Sequence, residues 1–391
     1  MKKWIIFSGL IAVLVFTAVI AGCSKKSEED FKIGCVASLS GEFSPWGEPA
    51  KLAYELAVKE INDAGGILGK KIELYVEDAE TNPDTAVLKS RKLIEQSGVS
   101  VIVGVEGSNL RNAVMAVTEP NKTILLYPTN YEGGVVGKYL FNFGMVPSLE
   151  LNDDMMKTLI SEAKGKKLFH VGSDYEYPQL VNNYLEKTIV PKFGLEFVGK
   201  ELVPLSQTEF SGTIKRISDV QPDILINNLI GPQSVSFQKQ AYAYGLTDKM
   251  VMAGAGYLEI SVSAMKQEGN GAYRTLNWVD GIDTEASKKF AADYKKLHGE
   301  NAMLVYTSES AYNSIYALKA AIEKANSFNP DEIAKAMVSI KINGPSGPIE
   351  VTEDHHVKIP IFLTRAKDGK LMPVKELGIY APIKDSKGLP F

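Results

Sequence analysis

Short apolar runs alternate with amphipathic stretches along this chain, and that alternation constrains the fold more than any other feature. Four runs predict strands in the first part of the chain: residues 31–37, 72–77, 99–104 and 123–127. Between the first two runs, four apolar side chains share one face of a predicted helix: Ala53, Leu56, Ala57 and Ile61. Strands that alternate with helices predict a parallel sheet with helices on both faces.

A second series of the same kind begins after Pro147. Its predicted strands are residues 167–172, 195–202, 223–229 and 249–253, and its predicted helices are residues 149–163, 284–298, 307–325 and 330–339. A turn cluster at residues 343–348 separates two apolar alternations in the tail. Because 391 residues are too many for one ordinary core, the sequence predicts an α/β protein with two doubly wound lobes.

The N-terminus has the pattern of a secretory signal. A basic start precedes an uncharged apolar stretch at residues 4–21. The cysteine after Ile20-Ala21-Gly22 resembles the lipobox of bacterial lipoproteins, which implies a signal peptide at residues 1–22, a lipid on Cys23 and a solvated tether at residues 23–30. The alternative is an uncleaved membrane helix, and the small residues that end the stretch favour cleavage. The predicted location is therefore extracytoplasmic, at a bacterial membrane facing the periplasm or at the cell surface.

Charge and motifs exclude several function classes. Without residues 1–22 the chain has 41 basic and 47 acidic residues, a net charge of −6, which excludes a nucleic-acid partner. Cys23 and Cys35 are the only cysteines, so a disulfide framework is excluded. Phosphate-binding loops, nucleophile elbows and zinc-protease motifs are absent from the sequence, so we expect no enzyme and no cofactor. His355 and His356 are neighbours that would point to opposite faces of a strand, so we expect no metal site there.

Several segments carry a resemblance to a known family. Ser38-Leu39-Ser40-Gly41, Trp46-Gly47 and residues 57–74 resemble the opening of the leucine/isoleucine/valine-binding superfamily of periplasmic solute-binding proteins. Three further segments resemble its urea and short-chain amide-binding branch: residues 104–114, 127–133 and 172–178.

This resemblance implies the type I, or Venus-flytrap, arrangement of two lobes joined by three crossovers. Lobe I would contain residues 31–148 and 279–350, and lobe II would contain residues 149–278 and 351–391. The lobes would close on a small solute and deliver it to the subunits of an ABC permease.

An oxygen-binding position is predicted at the end of the third strand. The loop after residues 99–104 starts a helix at Ser108, so free backbone N–H groups and a hydroxyl converge at the carboxyl edge of the sheet. The resemblance implies that the serine at Ser108 binds a carboxylate or carbonyl oxygen of the ligand and that Thr129 assists it. The alternative for Ser108 is a plain helix N-cap.

Aromatic side chains are candidates for the walls of the ligand site. Tyr127 lies two residues before Thr129 in lobe I, and Tyr175 and Tyr177 follow a predicted strand of lobe II. Aromatic rings supply apolar area with little rotamer entropy, and a hydroxyl can still bind the solute. Trp46 is a weaker candidate. The alternative for these residues is ordinary half-buried packing.

Two departures from the family pattern bear on the solute. Amino-acid-binding members hold the ammonium group with a tyrosine and a glutamate at positions where this chain has Ile230-Gly231-Pro232-Gln233 and Gly254-Ala255-Gly256-Tyr257. Since a buried ammonium without a counter-charge costs several kcal/mol, this favours an amide or urea. Glu106 replaces the usual aromatic residue of the amide binders. It would accept hydrogen bonds from an amide, amidine or ammonium, or it is a solvent-facing loop carboxylate, so the solute stays open between amide, urea and amino acid.

Two other functions are alternatives to solute import. An extracytoplasmic ligand sensor would partner a kinase or chemoreceptor, and neighbouring permease and ATPase genes would argue against it. An extracytoplasmic hydrolase would convert amides, whereas a transport receptor binds them unchanged. The sequence favours the lipid-anchored transport receptor.

Overall fold

The computed structural model describes residues 29–384. Lobe I begins with five strands and three helices: β1 Phe31–Ala37, α1 Ser44–Asp63, β2 Ile72–Asp78, α2 Pro83–Lys92, β3 Val101–Gly104, α3 Ser108–Thr118, β4 Ile124–Tyr127 and β5 Leu140–Asn142. The strands form one parallel sheet in the order β2-β1-β3-β4-β5. The signal peptide, Cys23 and the tether up to residue 28 lie outside the described residues.

Lobe II follows with a second βα series: α4 Pro147–Glu150, α5 Asp153–Glu162, β6 Lys167–Ser173, α6 Glu176–Tyr184, α7 Val190–Phe193, β7 Glu196–Val203, α8 Ser211–Val220, β8 Ile224–Asn228, α9 Gly231–Ala243, β9 Val251–Ala253, α10 Glu259–Met265 and β10 Tyr273–Leu276. The remaining elements are α11 Glu285–His298, α12 Tyr306–Ala325, α13 Pro330–Met337, β11 Lys341–Gly344, β12 Gly347–Val351, β13 Val357–Lys367 and β14 Lys370–Tyr380. The second sheet has the order β11-β12-β13-β10-β9-β8-β6-β7, with β14 paired to β13. The strands from β10 to β7 are parallel to one another, and β13 is antiparallel to β10.

The chain crosses between the lobes three times. After β5 it enters lobe II, after β10 it returns to lobe I, where α11 and α12 pack against α1, and through β11 and β12 it then joins β13 in the second sheet. The return is fixed by α12, which packs along α1. The hydroxyls of Tyr312 and Tyr316 on α12 donate to the Glu60 carboxylate on α1 at 2.5 and 2.7 Å.

The amphipathic pattern of α1 explains its position. Ala53, Leu56, Ala57 and Ile61 are all buried on the face predicted from the sequence. The helix ends at Asp63, and Gly65 and Gly66 follow it with φ angles of 109° and 85°, which glycine adopts without the steric cost of a Cβ.

The two-lobed α/β fold expected from the sequence is confirmed, with local differences. The helix predicted at residues 149–163 is two helices, because Asn152 leaves the helical conformation and its side chain accepts a hydrogen bond from the backbone N–H of Met155. The strands β5, β10, β13 and β14 were not predicted. Within residues 29–384, no helix has the length and apolar character to cross a membrane.

Candidate functional site

A narrow cleft lies between the carboxyl edges of the two sheets. Its lobe I wall contains Phe43, Trp46, Glu106, Gly107, Ser108, Thr129 and Asn130. Its lobe II wall contains Tyr175, Tyr177, Asn228, Leu229, Ile230, Ala255 and Arg274, and Tyr306 at the start of α12 completes the lining. The structure therefore brings together six of the predicted ligand-binding residues: Trp46, Glu106, Ser108, Thr129, Tyr175 and Tyr177.

Aromatic rings from both lobes meet across this cleft. The ring of Phe43 lies edge-on to Trp46 at a centroid distance of 6.1 Å, and it lies 6.4 Å from the ring of Tyr175 in lobe II. Tyr175 stacks in turn on Tyr177 at 6.3 Å. Such rings remove a small ligand from water without fixing flexible side chains.

Ser108 belongs to a buried polar network behind the lobe I wall. Its hydroxyl donates to the Glu132 carboxylate, which also accepts a hydrogen bond from Nη2 of Arg111 at 2.6 Å. The guanidinium of Arg111 lies over the rings of Tyr127 and Tyr131, at 5.3 and 4.7 Å from their centroids. Tyr127 is thus a fully buried support of this network, and it is not among the residues that line the cleft.

The start of α3 differs from a plain capped helix. Gly107 occupies the N-cap with a φ of 91°, and Ser108 is the first helical residue. The N-cap interpretation of Ser108 was therefore wrong. The N-cap position is occupied by glycine, because a Cβ at Gly107 would lie only 2.4 Å from the ring of Phe43.

Glu106 is fully buried in the lobe I wall. Its Oε2 accepts a hydrogen bond from the backbone N–H of Ser38 at 2.6 Å, and its Oε1 has no hydrogen-bond partner among residues 29–384. Burial raises the pKa of this carboxyl to about 7. The alternative of a solvent-facing loop carboxylate was wrong, because the start of α1 covers this side chain. The Thr129 hydroxyl in the same wall also lacks a partner within the described chain.

Arg274 on β10 places a positive charge in the lobe II wall. Its side chain is 3% exposed, and its guanidinium lies over the ring of Tyr306 at 4.9 Å. Its Nε and Nη1 have no hydrogen-bond partner in the part of the chain that the structure describes. Two buried carboxylates, Glu150 and Glu259, interact with this charge electrostatically.

Both of these carboxylates receive their hydrogen bonds from other groups. Glu150 accepts from the Tyr177 hydroxyl and from Nδ2 of Asn130 at 2.5 Å. Glu259 accepts from the backbone N–H of Tyr306 at 2.9 Å, and burial raises the pKa of its carboxyl to about 7. Sequence reasoning missed Arg274, Glu150 and Tyr306. The one available signal was an arginine inside the short run Ala272–Leu276, which was not predicted as a strand.

The two loops that depart from amino-acid-binding members are apolar where they face the cleft. Ile230 and Ala255 line it, whereas Gln233 accepts a hydrogen bond from the Ser173 hydroxyl and donates to backbone carbonyls. The Tyr257 hydroxyl donates to Gln238. These loops therefore contribute apolar contact.

The adjacent histidines pack between other elements. His355 stacks on Phe141 with a centroid distance of 4.2 Å, and the ring of His356 contacts the Tyr131 hydroxyl through Nε2. Burial lowers the pKa of His356 to about 4. In residues 29–384 no group of three or more His, Cys, Asp or Glu side chains is placed to hold a metal ion.

Two α/β lobes that meet at such a cleft define the class of two-lobed solute-binding proteins. Residues 30–370 match the family model for periplasmic binding proteins, and the chain belongs to this family. The family and its structural neighbours are solute-binding proteins rather than enzymes, and membership implies an extracytoplasmic location.

The similarity to individual proteins extends over most of this chain. Leu/Ile/Val-binding protein homolog 7 of Brucella suis biovar 1 (strain 1330) is 25% identical over 354 residues, which cover 85% of this chain and 86% of that protein. LivJ of Streptococcus pneumoniae, solved in complex with isoleucine, has a TM-score of 0.79 at 21% identity and covers 89% of this chain and 100% of its own. An ABC-transporter solute-binding protein of Rhodopseudomonas palustris BisB5, solved with 3,4-dihydroxybenzoic acid, has a TM-score of 0.80 at 21% identity and covers 92% and 99%.

Proposed function

We propose that this protein is the lipid-anchored, extracytoplasmic receptor of an ABC importer and that it captures a small amide, urea or amino-acid-like solute in the cleft. The bound solute is delivered to the permease subunits. The observation that carries this proposal is the lining of the cleft, because aromatic rings and buried polar groups from both lobes face one small space. A ligand there contacts both lobes at once, so its binding favours the closed arrangement.

Each lobe contacts a different part of the solute. Lobe I, at residues 31–148 and 279–350, holds the polar end of the solute with Ser108 and Thr129. Lobe II, at residues 149–278 and 351–391, covers it with Tyr175 and Tyr177. Isoleucine and 3,4-dihydroxybenzoic acid, the solutes found in the neighbours, support a ligand as small as an amino acid. The apolar loops at Ile230 and Ala255 support a ligand without a free ammonium on that side.

A thermal-shift panel tests the proposal. The panel contains urea, short amides, aliphatic amino acids and aromatic acids, each at 1 mM. A solute with a dissociation constant of about 1 μM stabilises the folded state by about 4 kcal/mol at this concentration. We expect Ser108→Ala and Tyr175→Ala to lose most of the shift. The control is Tyr244→Ala, because that side chain is 61% exposed and outside the cleft. Full shifts in both cleft variants would refute the site.

The anchor requires its own experiment. Cells that express the protein with radiolabelled palmitate should label the wild type and Cys35→Ala, since Cys35 is buried in the fold and unavailable to lipid. Cys23→Ser should remain unlabelled. Labelling of Cys23→Ser would refute the anchor while leaving the cleft function intact.

A further inference from the structure

Hydrogen-bond acceptors without partners lie in both walls of the cleft. In lobe I, Oε1 of the fully buried Glu106 has no partner among residues 29–384. The Ser108 hydroxyl in the same wall donates its proton to Glu132, so its oxygen is left to accept. In lobe II, Oδ1 of Asn228 also lacks a partner within the described chain. A ligand that satisfies the lobe I wall therefore carries N–H groups.

Glu106 is also a buried acid without a counter-charge. In the part of the chain that the structure describes, the charged side chain that acts on its carboxyl is Asp78, a second acid. The other titratable groups that interact with it are the thiol of Cys35 and the hydroxyls of Tyr54 and Tyr127, which are uncharged in their usual state. Because burial disfavours the charged form of a carboxyl, a positive group in the cleft would stabilise the ionised carboxylate.

The positive charge in the opposite wall is balanced within lobe II. Two buried carboxylates, Glu150 and Glu259, interact with the guanidinium of Arg274. Oε2 of Glu259 and the Nε and Nη1 atoms of Arg274 lack partners in residues 29–384, so this side of the cleft holds free acceptors as well as free donors. With Glu106 included, three carboxylates stand against one guanidinium, besides the ion pair behind the lobe I wall. The charge balance favours a cation over an anion.

The aromatic lining suits a cation that is also planar. Phe43 and Trp46 line the cleft beside Glu106, and the ring of Tyr175 in lobe II lies 6.4 Å from that of Phe43. A cation over the face of such a ring is attracted by the ring quadrupole. Amidinium and guanidinium groups are flat, and their several N–H donors lie in one plane. One such group can therefore contact a ring with its face and acceptors with its edge.

We propose that the cleft binds a small planar cation, an amidine or a guanidine, whose N–H groups donate to Glu106 and Ser108. The inference rests on the proposed function and narrows its amide-like or urea-like solute to one with a positive charge. A neutral amide or urea has nearly the same shape and also carries N–H groups, but it brings no counter-charge to Glu106. The charge of the solute is therefore the property to test.

Calorimetric titration with probes of matched shape tests the inference. Each of three sets contains an amidine, an amide and a carboxylate on the same carbon skeleton: acetamidine, acetamide and acetate; propionamidine, propionamide and propionate; benzamidine, benzamide and benzoate. Guanidine and urea form a fourth comparison. In at least one set we expect the cation to bind at least about 30-fold more tightly than the neutral probe, the scale measured when one partner of a buried charge pair is lost.

Two glutamate variants assign the contact. Glu106→Gln keeps the shape and removes the charge, so it should reduce the preference for the cation to below about threefold. The control is Glu259→Gln. The Glu259 carboxylate is also buried, accepts one backbone N–H at 2.9 Å and has a free oxygen, but it has Arg274 as a counter-charge and is not among the residues that line the cleft. This variant should keep a preference of at least about tenfold. An undiminished preference in Glu106→Gln, or an equal loss in Glu259→Gln, overturns the inference.

The wild-type titrations decide the charge of the solute without either variant. Silence of all four cations overturns the inference, and so does a neutral or anionic probe that binds as tightly as its cation in every set. Tighter binding of an amide or urea would leave the proposed function standing with a neutral solute. The proposed function fails on a different result, which is a full thermal shift in both Ser108→Ala and Tyr175→Ala.

Discussion

Loss of Arg111 should destabilise the protein strongly, because it leaves a buried carboxylate behind. The Arg111 and Glu132 side chains are 0% and 1% exposed and their charged atoms lie 2.6 Å apart. In Arg111→Met the Glu132 carboxylate keeps the Ser108 hydroxyl as a partner and loses its counter-charge. Breaking a buried pair on one side costs about 3–5 kcal/mol. The exposed pair of Lys215 and Asp219 has a similar distance, 2.8 Å, with side chains 74% and 60% exposed, so Lys215→Met should cost less than about 1 kcal/mol.

Urea denaturation followed by far-UV circular dichroism measures both free energies of unfolding. The double variant Arg111→Met/Glu132→Met should recover more than half of the loss, because it leaves no unpaired buried charge. Two results would refute the reasoning. One is an Arg111→Met protein within about 1 kcal/mol of the wild type, and the other is a double variant at least as unstable as the single one.

Two further predictions concern the pH dependence and the turn after α1. The unfolded chain ionises Glu106 near 4.5, whereas burial raises the pKa of this carboxyl to about 7 in the folded protein, so ionisation destabilises the fold as pH rises between these values. Glu106→Gln should gain stability relative to wild type from pH 4.5 to 8, by about 3 kcal/mol in total, in urea titrations at each pH; a difference independent of pH would contradict this. Gly65 and Gly66 both have positive φ, but a Cβ at Gly66 would lie 1.9 Å from the carbonyl oxygen of Lys70, whereas one at Gly65 meets nothing within 4 Å. Gly66→Ala should therefore cost at least about 2 kcal/mol more than Gly65→Ala in thermal unfolding, and equal losses would show that the turn can move aside.

Most of the βα framework was predictable, since buried parallel strands appear as short apolar runs whatever their partners are. The strand β1 was predicted with its observed bounds, Phe31–Ala37. The strand β10 was not, because two of its four residues, Arg274 and Thr275, are polar. Its position depends on pairing with β13, which lies far along the chain.

The cleft residues also fall into those that the sequence predicted and those that it did not. Ser108 was accessible from the sequence because it follows a predicted strand, and parallel strands end at one edge of the sheet. Glu106 and Thr129 were accessible through the family resemblance. Arg274 was not accessible because its strand, β10, was not predicted, and Tyr306 was not accessible because it begins the helix α12 and follows no strand. Their stacking at 4.9 Å is a property of the assembled fold.

Calorimetric titration of a cleft-filling variant tests the central claim most directly. Ala255 lines the cleft, and Ala255→Trp adds an indole there without removing a polar group. The control is Ala243→Trp at the exposed end of α9. The titrant is a solute that stabilises the protein in the thermal-shift panel. We predict one binding site per chain for the wild type and for Ala243→Trp. A folded Ala255→Trp protein should not bind this solute. Undiminished binding by Ala255→Trp would place the solute elsewhere and contradict the account.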